Sequence, residues 1–390
     1  MSKPALTRNV YVLGLVSFLT DMASEMIVPL VPRFLTRELK ATAFHLGIIA
    51  GVSESLASFL KLWSGWFSDR LGRRKALIVA GYGVASLVRP LMGLATAWWH
   101  AMAVRVVDRV GKGIRIAPRD ALLTDSCDER VRGRAFGFQQ FADNLGAAIG
   151  PLIALAALGV FDARTIMLLA IVPGLLVLVA AGAGIQDTQR TARSSEPPRL
   201  TLAPFDARFK LYLAATFVFH LAVISDFLII LRLDVGGFTE RETLVAWSCF
   251  MALRGACAYA GGHVADRLGR RPMIAAGWLL FAASWGAMAV VPKAWVLAPL
   301  AAYAVFGGFA QGPQRAFVAD LAPAHLRGTA FGVYNFTLGI AVLVANPVFG
   351  WVTDRFDIRW AFLGGAGCAL AGLALLAFVG RRLPRAGDPV

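Results

Sequence analysis

The chain has 390 residues, 57% of them hydrophobic and only 16% charged, against the ~25% charge of an ordinary soluble domain. Apolar stretches of about 20 residues, the length that crosses a hydrocarbon core, recur from end to end and exclude a string of soluble domains. The formal net charge of +15, from 39 Lys and Arg against 24 Asp and Glu, would suggest nucleic acid in a soluble protein; here the basic clusters lie in loops between apolar runs, as in cytoplasmic loops of membrane proteins, so no nucleic-acid partner is expected.

The first apolar run, near 9–33, carries Asp21 and Glu25 and lacks a cleavage site, so it reads as an uncleaved helix. Its two acids are four residues apart and share a face, and Pro29 and Pro32 should loosen its end. Helix 2, near 44–68, sets Glu54 and Lys61 on one face, and Gly65-Trp-Phe-Ser-Asp69-Arg70-Leu-Gly72-Arg73-Arg74 leads into helix 3, near 75–96. Helix 4, near 98–122, holds Arg105, Asp108, Arg109, Lys112, Arg115 and Arg119 at steps of three or four, which puts five cations and an acid in one sector. A charge at the bilayer centre costs at least ~2.5–3.5 kcal/mol, so this stripe should line water or meet acids. Arg119 also lies close enough to the helix end to reach the surface by snorkelling.

Helix 5, near 133–160, contains Asp143 and Gly146-Ala-Ala-Ile-Gly150-Pro151, and helix 6 runs near 164–185. Residues 186–208 are polar and proline-bearing and read as a linker between an N-terminal unit, 1–185, and a C-terminal unit, 209–390. Helix 7 starts near 209 and carries Asp226. Helices 8 to 11 fall near 242–265, 272–291, 294–320 and 328–353, with Gln311 and Arg315 in helix 10, and helix 12 ends near 380. The second half repeats the first. Gly65 to Arg74 return as Gly262-His-Val-Ala-Asp266-Arg267-Leu-Gly269-Arg270-Arg271, 197 residues on. Pro118, Asp125 and Arg132-Gly-Arg-Ala-Phe-Gly137 return as Pro313, Asp320 and Arg327-Gly-Thr-Ala-Phe-Gly332, 195 residues on. The expected fold is an all-α membrane protein with 12 transmembrane helices in two pseudo-symmetric six-helix bundles, a design that lets two halves rock about a central site.

Residues 65–74 and 262–271 resemble the loop motif Gly-x-x-x-Asp-Arg-x-Gly-Arg-Arg of the major facilitator superfamily, and the resemblance spans essentially the whole chain. It implies that helices 1, 4, 7 and 10 line the transport path. It also implies that Gly65, Asp69, Arg70, Gly72, Arg73 and Arg74 form a conformational latch with Asp125, mirrored by Asp266, Arg267 and Arg270. Gly146, Gly150 and Pro151 resemble the antiporter motif of that family, which continues with a glycine pair where this chain has Ala154 and Leu155. Arg105 sits where the helix-4 motif has its arginine, but Asp108 and Arg109 replace the usual Gln-Gly, so a typical multidrug transporter is not expected.

The functional expectation is a secondary transporter of a small solute: proton-coupled export of an anionic or amphipathic metabolite or drug by alternating access, or alternatively proton-coupled uptake of an organic anion. Proton-coupling candidates are Asp21, Glu25 and Asp143, because burial shifts carboxylates toward physiological titration; pairing with helix-4 arginines is the alternative role. Cavity candidates are Arg105, Asp108, Arg109, Lys112, Arg115, Asp226, Gln311 and Arg315, with pairing to Asp320 open for Arg315. Gly137, Gly146, Gly150, Gly332 and Gly339 are expected to permit close helix contacts. Gly111-Lys112-Gly113 lacks P-loop spacing, so an ion gradient rather than ATP is the expected driving force. The four cysteines lack paired spacing and the five histidines are scattered, so neither an enzyme nor a metal or other cofactor is expected. A receptor or scaffold would not need charges inside the bilayer. The chain should sit as a monomer in the plasma (inner) membrane bilayer, with both termini cytoplasmic from the distribution of Lys and Arg.

Overall fold

A computed structural model of the chain describes residues 6–71, 73–128, 131–187, 201–323 and 326–381. All regular structure among them is helical. The helices are α1 (Arg8–Glu38), α2 (Ala43–Leu71), α3 (Arg74–Leu94), α4 (Trp98–Asp125), α5 (Arg132–Ala157) and α6 (Ala163–Gly184). Then follow α7, in two pieces (Ala207–His220 and Asp226–Val235), α8 (Glu240–Leu268), α9 (Arg270–Val290), α10 (Leu297–Leu321), α11 (Arg327–Arg355) and α12 (Ile358–Arg381). Eight of these spans are long and apolar enough on composition alone to cross a membrane. The other four are α4, α5, α7 and α8. Three of them place charged or amide side chains in the interior and α7 is interrupted, which lowers their hydropathy without removing them from the bundle.

The helix pairing of the first half recurs in the second. In α1–α6, α1 packs on α5 and α6, and α4 packs on α2 and α3; in α7–α12, α7 packs on α11 and α12, and α10 packs on α8 and α9. The halves join through α2 against α11 and α5 against α8, two contacts that exchange under the same pseudo-two-fold. Small residues allow the approach: a Cβ on Gly47 would collide with the Asn346 carbonyl, and one on Gly350 with the Ala43 carbonyl. Gly332 and Gly339 meet the Leu62 and Phe59 side chains of α2. Gly146 and Gly150 press on α1 backbone at Phe18 and Met22, so they hold two helices of one half together. A Cβ on Gly137 would meet nothing within 4 Å among the described residues, so no such contact is made there.

One departure from the expected twelve straight spans is the gap in α7. The chain leaves helical geometry at 221–225. Two of the backbone groups freed there find partners: the Ala222 carbonyl accepts from Trp285 Nε1 at 3.0 Å, and the Ser225 N–H donates to Asn346 Oδ1 at 2.7 Å. Broken backbone is tolerated at membrane depth where it is enclosed by protein or lines a polar cavity. The end of α1 is also irregular, as Pro29 and Pro32 implied, finishing in a π-helical turn at Phe34–Glu38.

The two faces of the bundle differ. We call the face bearing the repeated loops the motif face and the other the distal face. On the distal face the halves are tied: Arg37 Nη2 lies 2.8 Å from Asp234 Oδ1, Arg33 3.6 Å from the same oxygen, and Asp354 of α11 binds the first turn of α2. On the motif face a Cβ on Gly133, Gly137, Gly312 or Gly328 would meet nothing within 4 Å among the described residues. Among the described residues the charged ties between the halves are therefore distal, the arrangement of a bundle closed there and more open toward the motif face.

Candidate functional site: a charged central cavity

Between the halves lies a cavity of about 690 Å³. Seven basic and five acidic side chains line it, from α1, α2, α3, α4, α5, α7, α8 and α10. Its α4 wall carries Arg105, Arg109, Lys112 and Arg115, which fall together because the 3.6-residue turn repeats them on one face. Glu54 of α2 answers two of these cations: Arg109 Nε lies 2.9 Å from its Oε1, and Arg105 Nη2 3.7 Å. The Arg105 guanidinium also sits 5.0 Å from the Phe227 ring, across the divide between halves. Arg115 stacks 4.4 Å over Tyr82, and its Nη1 is buried without a hydrogen-bond partner among the described residues.

Asp108 does not line the cavity. It points behind α4, 1% exposed, where Arg89 donates to its Oδ1 from Nε at 3.1 Å and Nη2 at 2.8 Å. The spacing of three from Arg105 put it on the cationic stripe. Its carboxylate is taken up by Arg89 of α3, which no motif had singled out, while its Oδ2 stays 3.8 Å from both Arg105 and Arg109. Arg89 in turn donates to the Thr20 carbonyl at 3.0 Å, tying α3 to α1.

Asp21 and Glu25 of α1 and Asp143 of α5 also line the cavity. Glu25 Oε2 accepts from Trp247 Nε1 of α8 at 2.8 Å, a bond between the halves. Asp143 Oδ2 lies 4.0 Å from Arg119 Nη1, while its Oδ1 is buried with no hydrogen-bond partner among the described residues. Arg119 itself pairs with Asp120 at 2.9 Å and donates to Ser17 Oγ at 3.3 Å, so it is held between helices. From the second half come Asp226, Arg254 and Arg315, with His220, Tyr303 and Asn346. Lys112, Arg254 and Arg315 form no ion pair within 4 Å among the described residues, and Asp320, the alternative partner of Arg315, binds Arg270 instead.

The latch residues are only partly described. Gly72 lies outside the described residues, and for Gly65, Asp69, Asp266, Arg267 and the cavity candidate Gln311 only the helical backbone is described. Arg74, at the start of α3, pairs with Asp125 at the end of α4, and Arg270, at the start of α9, pairs with Asp320 at the end of α10. The acids correspond under the 195-residue repeat; the arginines are one position out of register with the 197-residue repeat. Asp187 adds to this corner by accepting from the Arg74 N–H at 3.1 Å. Arg70 lies 5.6 Å over Trp66, and Arg73 is exposed just before α3.

Sequence reasoning missed Arg89, Trp247 and Asp354. Arg89 stands alone between apolar residues and gives no periodic signal. Trp247 looks like any core aromatic. Asp354 did leave a trace: Gly350-Trp351-Val-Thr-Asp354-Arg355 matches Gly65-Trp66-Phe-Ser-Asp69-Arg70 in its glycine, tryptophan, hydroxyl and Asp-Arg positions.

Comparison with known proteins agrees with this geometry. The Major Facilitator Superfamily pattern matches residues 13–248 and 235–389. An MFS-type transporter of Methanocaldococcus jannaschii is 27% identical over 386 residues, covering 96% of this chain and 95% of its own. Multidrug resistance protein MdtH of Shigella boydii is 25% identical over 383 residues, covering 93% of each. Among solved structures, the nucleoside transporter NupG superposes with a TM-score of 0.77 at 13% identity, covering 97% of this chain and 100% of that one. With two matched halves, a polar cavity between them and a family pattern over nearly the whole sequence, the chain belongs to the major facilitator superfamily, as a multi-pass membrane transporter and not an enzyme.

Proposed function

We propose that the chain carries an anionic, amphipathic solute across the plasma membrane in a proton-coupled cycle, with the motif face and both termini cytoplasmic. The observation that carries this reading is the cavity's charge: Lys112 and Arg315, one from each half, face it with no counter-ion within 4 Å among the described residues. A dry-walled cleft with surplus cations concentrates anions and repels cations. Apolar lining from Val28, Val223, Phe227, Met251 and Val342 suits the uncharged body of such a solute. Asp21, Glu25 and Asp143 are the proton carriers. Exchange-driven export is the second reading, favoured by the name of the multidrug resistance relative and by the helix-5 motif, whose Gly146 and Gly150 pack α5 on α1.

The test is binding of naphthalene-1-sulfonate, with neutral naphthalene-1-sulfonamide as control, to the purified full chain in nanodiscs. The sulfonate is expected to bind more tightly than the sulfonamide, and Lys112→Gln or Arg315→Gln to weaken it about tenfold, the loss of one charge-assisted contact. Equal binding of both compounds, unchanged in either variant, would remove the anion reading.

A further inference from the structure

The acids and the unpaired cations of the cavity stand on different helices. Asp21 and Glu25 project from α1 and Asp143 from α5, whereas Lys112 projects from α4 and Arg315 from α10. No ion pair among the described residues links these acids to these cations. The surroundings of the acids are mixed. Facing Glu25 are Trp247 of α8, Asp226 of α7, Asp21 of its own helix, and Arg105 and Arg109 of α4. Facing Asp21 are Glu25, Asp143 of α5, and Lys112 and Arg115 of α4. Asp143 also faces Arg119 and Asp120. Of the other neighbours of α1, α3 contributes Arg89, which binds the Thr20 carbonyl and Asp108, and α6 contributes only Arg164, which is paired with Glu38 at 2.8 Å on the distal face. His220 lines the same cavity from α7.

We propose that the proton and the anion load together in the state open to the motif face, and so cross the membrane as co-passengers rather than in exchange. This rests on the anion reading above. A proton added to Asp21, Glu25, Asp143 or His220 raises the charge of the cavity by one unit in every case. The sign of the effect on an anion is therefore the same whichever group takes the proton: attraction increases. Linkage makes the effect reciprocal, so the bound anion raises the proton affinity by the same factor. Exchange needs the opposite, mutual exclusion. Direct competition for the same atoms would supply it, and here the carboxylates and the unpaired cations stand on different helices. Glu54 obeys the same sign: a proton on it releases Arg105 and Arg109 toward the anion. With an inward proton gradient and a cytoplasmic motif face, co-loading runs the cycle as uptake.

The experiment is calorimetric titration of the full chain in nanodiscs with naphthalene-1-sulfonate, whose own charge does not change across the range, at pH 5.5, 6.5 and 7.5. The apparent Kd should fall on acidification by about 5- to 150-fold, the usual span of coupling between sites. Repeating the titration in two buffers of different ionisation heat should show net proton uptake on binding, a readout that needs no variant. Asp21→Asn, Glu25→Gln or Asp143→Asn at the carrier position should bind tightly already at pH 7.5 and lose the pH dependence. Weaker binding in acid, proton release, or no pH dependence in wild type overturns co-loading and leaves the anion reading in place. No binding of the sulfonate at any of the three pH values overturns the anion reading itself.

Discussion

Asp354, in the last turn of α11, accepts hydrogen bonds from the backbone N–H groups of Ala43 and Phe44 at 2.9 and 2.8 Å, and so caps the first turn of α2. The bond joins the two halves on the distal face. A helix N-terminus presents unpaired N–H groups and a positive dipole end, which a carboxylate satisfies at once. Asp354→Ala should therefore loosen distal closure. A cap of this kind contributes about 0.5–2 kcal/mol, which moves the ratio of distally closed to distally open molecules about 2- to 30-fold. Spin labels at Val160→Cys and Val235→Cys, both exposed near the distal face, in a background lacking the native cysteines, should show longer distances in the variant. Unchanged distances would mean the cap does not hold the halves.

The glycines give a test of alternating access itself. Gly47 and Gly350 are pressed against backbone carbonyls of the opposing half. Gly47→Ala or Gly350→Ala should force α2 and α11 apart and depopulate the distally closed state, read by the same label pair. A Cβ on Gly137 or Gly328 would meet nothing within 4 Å among the described residues. Gly137→Ala and Gly328→Ala should leave thermal stability and binding from the motif face unchanged. They should slow turnover in proteoliposomes if closure of the motif face brings those positions into contact, as the pseudo-symmetry requires.

The pair Arg89–Asp108 lies in a nearly dry site, with Arg89 6% and Asp108 1% exposed. Removing one partner of a buried pair leaves an uncompensated charge, at a cost of about 3–5 kcal/mol. Arg89→Met and Asp108→Leu should each lower the unfolding temperature sharply. The double variant should recover part of the loss, because Arg89 goes with its acid while Arg105 and Arg109, each 3.8 Å from Asp108, keep Glu54. Failure of the double variant to recover would show that the Arg89 bond to the Thr20 carbonyl, rather than the ion pair, dominates.

Outside the membrane, Asp162 precedes α6 and accepts from the Thr165 N–H at 3.0 Å. The Thr165 hydroxyl first, and then its N–H, hold the Asp162 carboxyl below the ordinary value. A depressed carboxyl contributes stability that is present above its unfolded value, ~3.9, and is lost as pH falls through the folded value. Hydrogen exchange at the Thr165 amide should quicken, relative to its intrinsic rate, as pH drops below about 4. Asp162→Ala should exchange fast at all pH values, with no acid transition.

The span boundaries were legible because a helix crossing lipid has little freedom: apolar length fixes it, and the ends of α2, α3 and α4 fell within three residues of their expected places. The repeat was legible because Asp125 and Asp320 return at a fixed offset and occupy equivalent corners. The cationic wall was legible because Arg105, Arg109, Lys112 and Arg115 share a helical face. Asp108 shares a helical sector with Lys112 and Arg115, and only the arginine that claims its short carboxylate, Arg89 of α3, keeps it from the cavity; a partner so distant in sequence leaves no periodic trace. The break in α7 was hidden because His220-Leu-Ala-Val-Ile-Ser225 contains neither Gly nor Pro; partners distant in sequence, Trp285 and Asn346, sustain it.

That break gives the outer piece of α7 its own allegiance. Asp226–Val235 is pinned to α1 by Arg33 and Arg37 through Asp234, whereas Ala207–His220 is packed on α11 and α12. The short outer piece can tilt away like a cork on a tether while the inner piece keeps its footing. Where α7 is concerned, opening the distal side then asks for the uprooting of one ten-residue stub rather than the swing of an entire rod, with the Asp354 cap on α2 left to give way separately.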